Sequence, residues 1–190
     1  MSNRIITISR EFGSGGHTVG KKVAERLGIP CYDNELIQKI AEQSGFVEEY
    51  IKEEGEHVPQ SSWLASAFTG WNWNGPSNQD LLWTIQRNII LELAEKESCV
   101  IVGRCADFIL RDKNCLRVFI HASMEKRAVR IVNEYGERRE APEQRLKSKD
   151  KRRASYYRFY TDMKWGQSQN YHIALDSGEL GLDKCADIIC

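Results

Sequence analysis

A glycine-rich segment near the start of the sequence has the residue types of a phosphate-binding loop. Residues 13–16 read Gly-Ser-Gly-Gly. Glycine allows several backbone N–H groups to turn toward one point, and a helix beginning directly after the loop would add the positive end of its dipole. Because converging N–H groups recognise phosphate, we expect this segment to hold a phosphate group of a ligand.

A strand and a helix must flank the loop if it is to work in this way. Ile5–Ile8 is a mostly apolar run, as in a buried strand. After the loop, Val19, Val23 and Leu27 recur at helical spacing, and Gly28 follows as a helix stop signal. The pattern therefore predicts strand, glycine loop and helix.

Strands and helices alternate along the rest of the chain, which predicts an α/β fold with a parallel sheet covered by helices on both faces. Ligands of such sheets bind at the carboxyl ends of the strands. The polar residues that follow the predicted strands should therefore border one cleft, and they are Ser9, Arg10, Asp33, Gly103, Arg104, His121 and Asp176.

Length and charge restrict the classes of protein that need to be considered. The 190 residues predict a single domain, 1–190. The 27 Lys and Arg residues balance 27 Asp and Glu residues, so the charge predicts neither nucleic acid nor a membrane surface as a partner. We expect a cytoplasmic protein, because no signal peptide is recognisable and six scattered cysteines suit reduced thiols. The oligomeric state stays open, a homodimer included.

Two nucleotide-binding interpretations compete for the glycine loop. In the first, Gly13-Ser14-Gly15 begins a dinucleotide fingerprint and Asp33 holds a ribose, which predicts an oxidoreductase, although Thr18 stands where the third glycine belongs. In the second, the loop is a modified P-loop. The usual P-loop reads G-x-x-x-x-G-K-[ST], in which the lysine reaches the phosphates and the hydroxyl holds magnesium.

A resemblance to the cytidylate kinase-like family favours the second interpretation. The segment ITISREFGSGGHTVGKKVAERLG resembles the opening of bacterial cytidylate kinases. The Tyr-Asp turn at 32–33 and Val-Gly-Arg at 102–104 resemble further motifs of the family, and the resemblance covers nearly the whole chain. It implies a three-layer α/β/α P-loop NTPase fold with an acceptor-binding insert over about residues 34–79 and a lid over about 136–153.

The chain departs from the usual P-loop at the positions that carry its chemistry. In an alignment without gaps, Gly16 stands in place of the lysine, His17 in place of the hydroxyl and Arg10 in place of the first glycine. We expect Arg10 to take over the work of the lysine from the other side of the loop. His17 would lie beside the phosphate, and Thr18 could supply a hydroxyl to magnesium or phosphate. The residues expected to hold the nucleotide are Gly13, Ser14, Gly15, Gly16, His17 and Thr18.

The resemblance implies roles for residues outside the loop as well. Arg104 would hold the acceptor phosphate and, with Arg10, take part in catalysis. Arg152 and Arg153 would belong to a lid that closes over the transferring phosphate. The carboxylates implied to contact the acceptor are Asp33, Asp107 and Asp150.

The predicted activity is phosphoryl transfer from ATP, with Mg²⁺, to a nucleoside monophosphate such as cytidylate or to a similar small acceptor. Arginines suit this reaction because they stay charged and bind phosphate through two parallel hydrogen bonds. An alternative is a nucleotide-binding or regulatory module without kinase activity, because the P-loop lysine is missing. The tryptophan-rich segment 58–79 leaves room for a protein-interaction role.

Overall fold

A computed structural model describes residues 3–46, 48, 78–136, 138 and 140–190. Its strands are β1 Ile5–Arg10, β2 Cys31–Tyr32, β3 Cys99–Val102, β4 Cys115–His121 and β5 Ile173–Asp176. Its helices are α1 Gly16–Leu27, α2 Asn34–Ser44, α3 Asn78–Lys96, α4 Ala106–Ile109, α5 Met124–Asn133, α6 Pro142–Thr161, α7 Ser177–Leu180 and α8 Leu182–Ile189, with one 3₁₀ turn at Ser168–Asn170.

The five described strands form one parallel sheet in the order β2-β3-β1-β4-β5. The central strand, β1, pairs with both β3 and β4. In a dinucleotide-binding sheet β2 lies directly beside β1, whereas here β3 separates them. The strand order therefore argues against the dinucleotide interpretation.

Side chains of the central strands alternate between two apolar clusters, one on each face of the sheet. Ile5 of β1 packs with residues of α2, α3 and α4. Ile6 and Ile8, on the opposite face, pack with residues of α1 and α8. β3 divides in the same way, with Ile101 in the first cluster and Val102 in the second. The prediction of a parallel sheet between two helical layers is confirmed.

Two elements extend beyond the predicted limits. β1 continues to Arg10, since Ser9 and Arg10 are in register with Phe119 and Ile120 of β4. Arg10 is therefore the last residue of the central strand, held by the sheet. The charged run after residue 141 and the aromatic stretch 156–160 form one helix, α6.

Much of the predicted acceptor-binding insert, 34–79, lies outside the described residues, including its tryptophan-rich segment up to residue 77. The described parts are α2, Gly45, Phe46, Glu48 and the first two residues of α3. Among the described helices, none combines the length and the apolar composition that a bilayer-spanning helix requires.

Candidate active site

The glycine loop connects the end of β1 to the first turn of α1. Gly13 and Gly15 have positive φ angles of 77° and 79°. A Cβ on Gly13 would lie 2.8 Å from Cγ2 of Ile131, and one on Gly15 would lie 2.5 Å from Cδ2 of Leu182. Both conformation and space therefore require glycine at these positions. The first amides of α1, which have no helical acceptor of their own, belong to the same loop.

Ser14 supports the loop from inside the protein. Its side chain is fully buried, and its hydroxyl donates to the carbonyl of Glu11 at 2.9 Å. The carbonyl of Ser14 accepts a hydrogen bond from the Ser177 hydroxyl at 2.5 Å. The hydroxyl, N–H and carbonyl of Ser14 are thus all engaged within the protein, and Ser14 fixes the shape of the loop without lining its cavity.

Arg10 extends across the carboxyl edge of the sheet between two glycines. A Cβ on Gly16 would lie 2.8 Å from Cγ of Arg10 and closer still to its Cβ. A Cβ on Gly103 would lie 2.7 Å from the guanidinium carbon of Arg10. The stem of Arg10 therefore occupies the space beside position 16, and its charged group lies over the end of β3.

Two adjacent cavities open at this edge. The loop cavity, of about 270 Å³, is lined by Arg10, Glu11, Phe12, Gly13, Gly15, Gly16, His17, Tyr135 and Arg153. The arginine cavity, of about 20 Å³, is lined by Ser9, Arg10, Gly103, Arg104, Cys105, Arg153, Tyr156, Tyr157 and Trp165. Arg10 and Arg153 line both cavities. Arg153 also donates from Nη1 to the carbonyl of Arg10 at 3.3 Å.

Arg104 enters the arginine cavity from a strained backbone. Gly103, Arg104 and Cys105 have successive φ angles of 75°, 56° and 53°, and such conformations of non-glycine residues cluster at functional sites. The carbonyl of Arg104 accepts a hydrogen bond from Gln86 at 3.0 Å. Arg104 is only 9% exposed, and its Nη1 has no hydrogen-bond partner among the described residues. A buried guanidinium nitrogen of this kind is suited to bind an anion.

His17 and Asp33 form a hydrogen-bonded pair beside the loop cavity, between Nδ1 of the imidazole and Oδ2 of the carboxylate. Burial acts to raise the pKa of Asp33. The hydrogen bond from His17 and the positive charges of Arg10 and Arg104 outweigh burial and lower this pKa. Asp33 therefore stays ionised while facing the two arginines.

Asp107 lies beneath the arginine cavity in a network of hydroxyl groups. Ser9 donates to its Oδ1 at 3.0 Å and Tyr157 to its Oδ2 at 2.7 Å. Burial raises the pKa of Asp107, and these two hydrogen bonds only partly offset the effect. The carboxyl is 2% exposed and connects β1, α4 and α6. Asp107 is therefore in a position to hold Ser9 and Tyr157, two of the residues that line the arginine cavity.

Replacing Asp107 by asparagine should change the pH dependence of stability. A raised pKa means that the folded protein keeps this proton at pH values where the unfolded chain has lost it. The stabilisation that protonated Asp107 contributes is complete below about pH 4, the ordinary aspartate pKa. It is lost as pH rises through the pKa of Asp107 in the folded protein. The free energy of unfolding of the wild type minus that of Asp107→Asn should fall by at most about 1.4 kcal/mol per pH unit. Urea unfolding at several pH values measures this difference, and parallel curves would contradict the prediction.

Asp150 connects the glycine loop to α6. Its Oδ1 accepts the N–H of Phe12 at 2.7 Å, and its Oδ2 accepts from Nη1 of Arg127 at 2.5 Å. Arg127 also donates to the carbonyls of Phe12 and Ala122 at 3.1 and 3.0 Å. These contacts indicate that Asp150 holds the glycine loop in place. Its contact with the acceptor stays a prediction.

Asp150→Ala is expected to lower the free energy of unfolding by about 3 kcal/mol, because Arg127 is left buried without its nearest carboxylate. Ser148→Ala, an exposed substitution on the same helix, serves as the control and should leave stability nearly unchanged. Urea denaturation measures both variants. A loss for Asp150→Ala no larger than that of the control would show that the Asp150–Arg127 contact does not brace the protein.

Two of the predicted site residues, Thr18 and Arg152, lie away from the lining of both cavities. Thr18 is half-buried in the first turn of α1 and is not among the residues lining either cavity. Arg152 is half-buried on α6 and also lines neither cavity, whereas Arg153, its neighbour, lines both.

The structure adds residues that were not singled out from the sequence. Arg127 holds Phe12, and Arg130 donates to the carbonyl of Gly13 at 3.0 Å. Tyr135 lines the loop cavity. Arg127 and Arg130 are three residues apart on α5, so the i, i+3 spacing of arginines on one helix face was the available signal.

Comparisons with known proteins agree with this geometry. The sequence profile of the Cytidylate kinase-like family matches residues 5–179. A cytidylate kinase of Archaeoglobus fulgidus is 26% identical over 187 residues, which cover 97% of this chain and 91% of that protein.

Solved structures share the fold. An uncharacterized protein from Eubacterium ventriosum is 34% identical, with a TM-score of 0.75 and coverage of 99% of this chain and 96% of that one. A shikimate kinase from Bacteroides thetaiotaomicron is 18% identical, with a TM-score of 0.59 and coverage of 98% and 95%. At the latter identity the likeness shows the fold alone, which is that of the P-loop kinases.

Proposed function

The chain belongs to the cytidylate kinase-like family, and we propose that it transfers the γ-phosphoryl group of ATP to a nucleoside monophosphate or a similar small anionic acceptor. Kinase membership supports phosphoryl transfer in general. The choice of donor and acceptor rests on the two cavities and on the residues that border them.

One observation carries the proposal: Arg10 and Arg153 line both the loop cavity and the arginine cavity. A phosphoryl group that moves from a donor in one cavity to an acceptor in the other must pass between them. Charge spreads over its equatorial oxygens during transfer, and fixed guanidinium groups stabilise that charge. Two arginines common to both cavities are in the position that this step requires.

The loop cavity suits the donor phosphates. The backbone amides of the glycine loop and the start of α1 would bind the β- and γ-phosphates. A lysine at position 16 would collide with the stem of Arg10, so a cation can reach this cavity from position 10 and not from position 16. We assign to Arg10 the charge that a P-loop lysine ordinarily supplies.

The arginine cavity offers positive charge to the anionic end of the acceptor, and at about 20 Å³, room for about one water, it must widen to admit a phosphate. Arg104 brings a buried, unpartnered guanidinium nitrogen there, and a phosphate oxygen could accept a charge-assisted hydrogen bond from it. Arg104 is assigned to the acceptor phosphate on this basis. Part of the predicted acceptor insert falls outside the described residues, so the base of the acceptor is left to experiment.

A divalent cation would neutralise charge on the nucleotide phosphates when it is bound. The loop cavity offers such an ion one nitrogen donor, the imidazole of His17, which suits a first-row ion better than Mg²⁺. Glu11 lines the same cavity, but its carboxylate accepts the N–H of Ala122 at 3.2 Å and lies 3.4 Å from Nε of Arg127. Thr18 stays a predicted source of a hydroxyl ligand for magnesium.

A coupled assay with ATP, Mg²⁺ and a panel of nucleoside monophosphates tests the proposal. We expect turnover with at least one monophosphate, and Arg104→Ala should raise the KM for that acceptor by about tenfold or more through loss of a charge-assisted contact. Arg111→Ala, an exposed arginine that lines neither cavity, is the matched control. No turnover above that of Arg104→Ala with any monophosphate would count against the proposal.

The absence of a lysine at position 16 favours one second candidate, a nucleotide-binding module without transfer activity. That candidate predicts saturable ATP binding in a thermal-shift panel with no product in the coupled assay. The two functions are distinguished by the product alone, since both predict stabilisation by ATP.

A further inference from the structure

The His17–Asp33 pair uses one ring nitrogen of the imidazole and leaves the other unused. The bond joins Nδ1 of His17 to Oδ2 of Asp33, so one of the two ring nitrogens is committed to the carboxyl group. When Nδ1 carries the hydrogen of this bond in a neutral imidazole, the lone pair is on Nε2. Nε2 has no hydrogen-bond partner among the described residues. The pair therefore offers a nitrogen lone pair supported from behind by a carboxylate.

The position of His17 relates this lone pair to the nucleotide. His17 is the second residue of α1 and lines the loop cavity together with Gly13, Gly15 and Gly16. In the usual P-loop this position carries the hydroxyl that holds the metal ion. Thr18, the nearest hydroxyl in sequence, is not among the lining residues. The imidazole thus stands where a cation on the donor phosphates would take a protein ligand.

We propose that His17, through Nε2, is a ligand of the divalent cation that accompanies the nucleotide, and that Asp33 holds the imidazole in the ligating orientation. A metal-binding histidine ordinarily donates its other N–H to a carboxylate or carbonyl, which is the arrangement of this pair. The inference rests on the proposed function, since the nucleotide must bring the ion.

The chemistry of the ligand predicts which ions are preferred. Mg²⁺ favours oxygen ligands, whereas imidazole binds later first-row ions more strongly. Within the described part of the chain no cluster of three potential metal-ligating side chains occurs. The phosphates and water must therefore supply the other ligands, and His17 shifts the preference from Mg²⁺ toward first-row ions, more for Co²⁺ than for Mn²⁺.

One competing arrangement has different consequences. A doubly protonated His17, paired with Asp33, would donate from Nε2 to a phosphate oxygen and would bind no metal. Asp33 also faces Arg10 and Arg104, so the local charge is compatible with a phosphate contact. A bond between a histidine nitrogen and the metal ion is present in the first arrangement and absent from the second, so detecting that bond distinguishes them.

Electron paramagnetic resonance of Mn²⁺·ADP on the full chain tests this directly. With protein labelled with ¹⁵N at histidine, we expect hyperfine coupling of ¹⁵N to Mn²⁺, lost in His17→Gln. Asp33→Asn should keep the coupling but weaken Mn²⁺·ADP binding about tenfold. His17→Thr, which restores a hydroxyl, should shift the Mn²⁺/Mg²⁺ preference toward Mg²⁺ by about tenfold.

The outcomes separate this inference from the proposed function. Binding of Mn²⁺·ADP without ¹⁵N coupling, or coupling that persists in His17→Gln, would overturn the role of His17 and leave the kinase proposal standing. A wild-type protein that binds neither Mn²⁺·ADP nor Mg²⁺·ATP would overturn both. Thermal unfolding of each variant verifies that the fold is retained.

Discussion

Arg10→Ala is expected to lower kcat/KM for phosphoryl transfer by about 10³-fold, the scale of arginines that stabilise transferring phosphoryl groups. Arg10 is common to both cavities, so its removal affects donor binding and the charge that develops during transfer. Steady-state kinetics with ATP and the best acceptor measure the effect, and calorimetric titration with ATP separates binding from transfer.

Two further variants control this experiment. Arg10→Lys keeps a charge but loses the planar fork, so it should recover only part of the activity. Arg87→Ala removes an exposed arginine of α3 and should leave kcat/KM unchanged. Unaltered binding and turnover in Arg10→Ala would show that the charge of the missing lysine is not supplied from position 10.

Gly16→Lys, which restores the P-loop lysine, is expected to abolish activity when Arg10 is present. The double variant Gly16→Lys/Arg10→Gly should be more active than Gly16→Lys alone. A Cβ at position 16 overlaps the Cβ and Cγ of Arg10, so the single variant is overpacked and should lose about 2 kcal/mol of stability. Arg10→Gly removes both atoms and re-creates the glycine that the usual P-loop has there. Positions 10 and 16 are thus alternatives for one cation.

A double-mutant cycle on kcat/KM measures this coupling. The double variant should exceed either single variant by about tenfold or more. Additive losses would place it far below both, so this result corresponds to a coupling energy well above about 1.4 kcal/mol. Glu25→Lys, which places a lysine at an exposed position of the same helix, is the control and should not alter kcat/KM. Additive effects at positions 10 and 16 would contradict the idea of one shared space.

The layers of the fold were predictable because each strand and helix carries its own pattern. The alternation of Ile5, Ile6 and Ile8 between two cores is local information, as is the helical spacing of Val19 and Val23. The strand order was not predictable in this way. That β3 inserts between β1 and β2 depends on contacts between Ile8 and Val102, which are distant in sequence.

Some features of the candidate site were likewise predictable from local sequence, and others depend on contacts between distant residues. The phosphate loop could be identified from its glycines, because conformation at Gly13 and Gly15 is a property of the residue itself. The hydrogen bond between His17 and Asp33 could not be predicted from the sequence, because it requires α1 to pack over the end of β2. The collision between positions 10 and 16 likewise depends on the path of one side chain across the sheet edge.

The hydrogen bond from Ser177 to the carbonyl of Ser14 has a consequence for biosynthesis. The two residues are 163 positions apart, and Leu182 lies directly over Gly15. A ribosome makes the phosphate loop before its supporting residues, which emerge only after the residues that separate them. The loop therefore reaches its working shape only after Ser177 and Leu182 have been translated, and a nascent chain cannot bind nucleotide there before that point.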